Sequence, residues 1–203
     1  MPRLLCNTLL SVVVMLFSLH SALCAPMDTQ QTPDFQETQK AANQGDVQAQ
    51  FNMGMMYYLG ASVTKDVNKA FAWFRKAAEQ GNDRAQFVLG GMYQSGEGVQ
   101  KNPGKAAEWY QKSAAQGSPV AQESLGVLYA LGNGVRQDSR KAAELFQKAA
   151  AQGYPLALGR LGVMYHSGEG VPRDPQKACA MMRKAAEQGD KTSLGFYNSL
   201  CAR

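Results

Sequence analysis

Few residues in this chain are placed for nucleophilic or acid–base chemistry. Ser62 and Lys65 are spaced as Ser-x-x-Lys, which would set a hydroxyl beside a lysine able to take its proton. Lys191-Thr192-Ser193 approximates Lys-Thr-Gly, and together the two segments suggest a β-lactam hydrolase or penicillin-binding enzyme. The Ser-Asp-Asn element of such enzymes is missing, and Ser62 stands where the equivalent segments further along carry glycine. His166 is the one histidine beyond the apolar N-terminal stretch, and no serine or cysteine motif accompanies it. Cys179, Cys201 and His166 lack the Cys-x-x-Cys spacing of a zinc site. Gly96-Glu97-Gly98 lacks the Lys-Ser/Thr that completes a phosphate-cradling loop. Trp73 and Trp109 are of a type that stacks on ligands, but Leu145 and Met181 share their slot, which marks it as core. No catalytic residue, metal or cofactor is expected, and the chemistry points to binding.

The elements that would position any site repeat along the chain. Gly45, Gly81, Gly117, Gly153 and Gly189 are each 36 residues apart, as are Tyr57, Tyr93, Tyr129 and Tyr165. Within each unit, Ala49, Met53, Gly54 and Tyr57 and their copies keep one face of a first helix inward. Ala70, Trp73, Phe74 and Ala77 do so for a second helix at i, i+3, i+4, i+7. Asp66, Asn102, Asp138 and Asp174 fall at the N-cap of the second helix, and the recurring Gly81 series at its end. The mid-helix glycines Gly54, Gly90, Gly126 and Gly162 imply close approach of a neighbouring helix. The loop valines Val99, Val135 and Val171 are expected to plug into the core.

The expected organisation is a signal peptide at 1–24, a flexible leader at 25–33, a capping helix at 34–45, and repeats at 46–81, 82–117, 118–153 and 154–189. A second capping helix at 190–203 ends the chain. The signal reading rests on Arg3, the apolar run Leu9–Leu19 and the small residues around Cys24, with Cys24 itself open to lipidation. It predicts a periplasmic or secreted protein without a stable membrane span once cleaved. Cys179 and Cys201 then remain as a pair in an oxidising compartment. Each is eleven residues from Asp190, where two antiparallel helices should turn, so the pair is level. A disulfide follows, with two buried thiols as the alternative. The formal net charge of +5 comes without a basic run, which argues against nucleic acid as a partner.

The pattern Ala-Gln-x-x-Leu-Gly-x-x-Tyr, then Gly-x-Gly-Val-x-x-Asp, then Lys-Ala-x-x-x-x-x-Lys-Ala-Ala-x-x-Gly resembles the Sel1-like repeat, a relative of the tetratricopeptide repeat. Residues 85–117 and 121–153 show it almost unbroken, with Leu145 in the usual tryptophan slot. The resemblance covers roughly residues 34–203. It implies an all-α, right-handed α-solenoid of helix-turn-helix units with half-repeat caps, acting as a monomeric adaptor, regulator or immunity-type inhibitor that binds another protein. By analogy with tetratricopeptide geometry, the groove is lined by Phe51, Met55, Tyr58, Arg84, Phe87, Gly91, Gln94, Glu123, Val127, Gly159, Val163 and His166. Because Glu123 and Gly159 replace Phe51 and Phe87, the groove is expected to be aromatic in its N-terminal half and more polar later. A cell-envelope polysaccharide binder is a further alternative.

Overall fold

The computed structural model describes residues 33–201, and the expected signal segment, most of the leader, Cys6 and Cys24 lie outside them. The described residues form ten helices and no strand: α1 (Pro33–Asn43), α2 (Val47–Leu59), α3 (Val67–Glu79), α4 (Asp83–Ser95), α5 (Pro103–Ala115), α6 (Pro119–Leu131), α7 (Ser139–Ala151), α8 (Pro155–Ser167), α9 (Pro175–Glu187) and α10 (Lys191–Leu200). Each helix packs on the next, and α8 also touches α10, giving an α-solenoid. No helix of the described residues is long and apolar enough to cross a membrane.

Local chemistry sets the helix ends. The carboxylates or amide of Asp66, Asn102, Asp138 and Asp174 accept the backbone N–H three residues on, at 2.9–3.0 Å. Each of the four second helices is thereby capped in the same way. The backbone N–H of the same four residues donates to the carbonyls of Tyr57, Tyr93, Tyr129 and Tyr165, which ties the loop to the first helix. Ser62 takes the left-handed φ of +64° that Gly98, Gly134 and Gly170 adopt in the later loops. Val63 is buried and Val99, Val135 and Val171 are half-buried against the core.

The core of each unit is a ring inserted against a helical glycine. A Cβ at Gly54, Gly90 or Gly126 would stand 2.5–2.6 Å from the ring of Phe74, Tyr110 or Phe146 on the following helix. In the fourth unit Met182 takes the ring's place, 2.9 Å from such a Cβ at Gly162. This contact accounts for a glycine that costs about 1 kcal/mol of helix stability against alanine. Tyr110 is buried with its hydroxyl donating to Gln94 Oε1 at 2.8 Å. Burial, with a smaller contribution from the Glu123 carboxylate, pushes that phenol up to about 12. Trp73 and Trp109 sit at the margin of the core, not inside it. Each is half-buried, with Lys76 and Lys112 over the indoles at 4.1 and 4.0 Å. The slot opens outward, so the indoles are shared between core and a cation.

Glutamines link one unit to the next. Gln80 Nε2 donates to Gln50 Oε1 at 2.7 Å, and Gln50 Nε2 donates to the Ala42 carbonyl at 3.2 Å. Gln116 with Gln86 and Gln152 with Gln122 repeat the contact at 2.8 and 3.0 Å. Leu158 replaces the glutamine in the fourth unit. At the C-terminal end Cys179 and Cys201 are joined by a disulfide with a Cα–Cα distance of 5.6 Å, tying α10 to α9.

Gly126→Ala is expected to lower unfolding stability by about 1–3 kcal/mol in denaturant titration, because the methyl overpacks the Phe146 ring. Adding Phe146→Leu should recover part of the loss, and a neutral Gly126→Ala would contradict the contact. Replacing both cysteines by serine is expected to cost about 3 kcal/mol, with the earliest loss of amide protection in α10. Unchanged exchange there would show that the bridge does not hold the end. For Tyr110, the unfolded phenol titrates near 10 and the folded one higher. Its stabilisation is therefore full below about pH 10 and is lost as pH rises towards about 12. Tyr110→Phe should flatten the fall of melting temperature between those values, and parallel curves for the two proteins would contradict the assignment.

Candidate functional site

The first helices α2, α4, α6, α8 and α10 carry the side chains that differ between units, and the structure divides them into two groups. In the N-terminal half they are turned to internal work. Phe51 packs on Phe74 with ring centroids 5.7 Å apart, Tyr58 covers the same ring at 6.4 Å, and Phe87 packs on Tyr110 at 5.6 Å. The Tyr58 hydroxyl donates to Glu97 in the next unit's loop at 3.1 Å, and that carboxylate raises the Tyr58 pKa above its ordinary value. Met55 is half-buried against the same cluster, while Arg84 is exposed near the start of α4. Gln94 is half-buried and accepts from Tyr110.

The C-terminal half is open. A cavity of about 250 Å³ lies between α6, α8 and α10. Val127 and Ala130 line it from α6, Val163 and Met164 from α8 and Phe196 from α10, with Phe146 contributing from α7 beneath. Leu131 and Phe196, at 70% and 40% exposure, leave an uncovered apolar rim. The two polar lining residues are Arg160 and Glu169. Arg160 Nε donates to Glu123, forming an ion pair between α8 and α6. Glu123 is buried by it, and its carboxylate does not stand free in the groove. Glu169 is exposed and accepts from the Ser139 hydroxyl at 2.7 Å.

This reverses the expected gradient. The later groove is the more apolar part, because Glu123 is drawn into the Arg160 pair and the small Ala130 leaves a cavity floored by Phe146. Gly159 is not open either, since the Ser193 hydroxyl of α10 occupies the space a side chain would need. His166 is half-buried, its Nδ1 lacks a hydrogen-bond partner among the described residues, and its carbonyl accepts from Arg173 Nε at 3.0 Å. Ala130, Leu131, Arg160, Met164, Glu169 and Phe196 join the candidate surface without having been expected there. The aromatic-to-Glu change at 123 was the sequence signal that could have found them.

The serine-nucleophile arrangement is not assembled. Ser62 lies in the loop of the first unit, while Lys191–Ser193 opens α10 at the other end of the stack. The Lys65 ammonium sits 5.4 Å above the Tyr58 ring, and the Ser193 hydroxyl donates to Asp190 within the α10 N-cap. Among the described residues no three His, Cys, Asp or Glu side chains gather as metal ligands would.

The comparisons with known proteins agree with this architecture. The structure resembles that of a protective antigen present in uropathogenic Escherichia coli strains, with TM-score 0.76 and 42% identity, covering 78% of this chain and 34% of that one. It resembles a Sel1 repeat protein from Oxalobacter formigenes with TM-score 0.72 and 39% identity, covering 80% and 47%. The immunity protein Pa5087 of Pseudomonas aeruginosa aligns with TM-score 0.50 and 26% identity over 77% and 58%. The chain thus spans about a third and about half of the first two structures. No curated protein matches it. The Sel1 repeat model matches four times in succession, over residues 47–82, 83–118, 119–154 and 155–190. With four such units stacked in succession, the chain belongs to the Sel1 repeat family.

Proposed function

We propose that this protein is an exported, monomeric protein-binding module that holds a partner protein along its first-helix face, as an adaptor, a regulator or an immunity-type inhibitor. The observation that carries this reading is the open apolar cavity between α6, α8 and α10, rimmed by exposed Leu131 and Phe196 on a repeating frame. Uncovered apolar surface with a polar margin is the composition of a protein contact. Sel1 repeats are generally protein-interaction modules, and an immunity protein is among the structural relatives. The signal-like N-terminus and the Cys179–Cys201 disulfide support export to a periplasmic or extracellular compartment.

The test is affinity capture from native envelope extracts, read by mass spectrometry, with wild type beside Arg84→Ala, His166→Ala and Leu131→Asp. At least one variant is expected to lower recovery of the main partner about fivefold or more, with melting temperatures close to wild type. Equal recovery by all three would move the interface to the second helices or the loops.

A further inference from the structure

The cavity has an internal precedent that says what it fits. In the first unit the ring of Phe74 is covered twice, by Phe51 at 5.7 Å and by Tyr58 at 6.4 Å. In the second unit Phe87 covers Tyr110 at 5.6 Å, and Gln94 takes its hydroxyl. In the third unit the equivalent ring is Phe146, but the two covering slots hold Glu123 and Ala130. Glu123 is held by Arg160, and Ala130 has no ring to offer. Phe146 is itself buried, and it forms the floor of an open cavity at the place where its counterparts meet aromatic side chains. The fourth unit leaves no such space, since Met182 replaces the ring and Ser193 fills the Gly159 slot.

We infer that the space over Phe146 is a socket for an aromatic side chain of a partner protein, flanked in that partner by a lysine or arginine. The inference rests on the protein-binding reading above and names the chemistry of the contact. A cavity of about 150 Å³ accepts a benzene-sized ring, and this one is about 250 Å³. Val127, Val163, Met164 and Phe196 supply the apolar walls. The flanking charge follows from the two polar lining residues. Arg160 is already paired with Glu123, whereas Glu169 has no lysine or arginine within ion-pair distance among the described residues. Arg160, Glu123 and Glu169 together sum to a negative charge, which a basic residue complements.

The experiment is an NMR titration of the full disulfide-bonded chain at low salt with three capped dipeptides: acetyl-Phe-Lys-amide, acetyl-Leu-Lys-amide and acetyl-Phe-Glu-amide. Acetyl-Phe-Lys-amide is expected to shift the methyl signals of Val127, Val163 and Met164. It should bind about threefold to tenfold more tightly than the leucine peptide and about twofold to fivefold more tightly than the glutamate peptide. Ala130→Tyr restores the side chain found at Tyr58, and Glu123→Phe restores that at Phe51; each should fill the socket and abolish these shifts. Ala130→Tyr keeps the Glu123–Arg160 pair, so it remains informative if Glu123→Phe does not fold. Absent methyl shifts, equal binding of the leucine peptide, equal binding of the glutamate peptide, or unchanged binding by Ala130→Tyr would each overturn the inference. Toluene binding as tightly as acetyl-Phe-Lys-amide would also overturn it, in favour of a small-molecule pocket. The titration uses no native partner, so its failure would leave the protein-binding reading to stand or fall on the capture experiment.

Discussion

The structure depends on one contact: a second-helix side chain seated against a glycine in the middle of the first helix. Gly54 with Phe74, Gly90 with Tyr110, Gly126 with Phe146 and Gly162 with Met182 repeat it through the stack. Glycine is a poor helix residue, and it is used here because any Cβ would collide with the incoming group. The contact sets how closely the two helices of a unit approach. The alanines beside it, Ala70, Ala106, Ala142 and Ala178, are fully buried for the same reason. In α10 the glycine slot holds Asn198, whose Cβ is incompatible with this contact.

Units are then joined by weaker but regular devices. The buried glutamines Gln50, Gln86 and Gln122 each bridge the helix end of the preceding unit and the glutamine that ends the second helix of their own unit. A buried amide left without partners is costly, so this network favours one register of stacking. Lys69, Lys105, Lys141 and Lys177 lie 4.1–5.4 Å from the ring centroids of Tyr57, Tyr93, Tyr129 and Tyr165. Much of the positive charge is therefore part of the frame. The glutamine series gives way to Leu158, and the disulfide beyond it ties α10 to α9.

A rigid frame of this kind makes a binding surface by subtraction. Where the first-helix face carries Phe51, Tyr58 and Phe87, the rings of the second helices are covered and the surface is finished from within. Where it carries Glu123 and Ala130, the same architecture leaves a cavity floored by the buried Phe146, with Leu131 and Phe196 exposed at its rim. The surrounding helices are held by the contacts just described, so the space does not close by collapse. The functional surface is thus placed by the residues absent from the pattern as much as by those present.

The sequence by itself determined the helices, their ends and the family, because capping carboxylates, loop glycines and a 36-residue period act locally or recur without interruption. It also indicated the pairing of Cys179 with Cys201, since two helices of fixed rise meeting at Asp190 bring equidistant residues level. The first-helix face was legible as the variable one. Only the tertiary structure decided which of its side chains are free. Phe51 and Phe87 look like groove anchors in sequence, yet they lie on rings 23 residues further along the chain. Glu123 reads as a polar groove residue until Arg160, 37 residues away, buries its carboxylate. Sequence spacing gives the direction in which a side chain points, but its availability depends on what a neighbouring helix places against it, and that is a property of the packed solenoid.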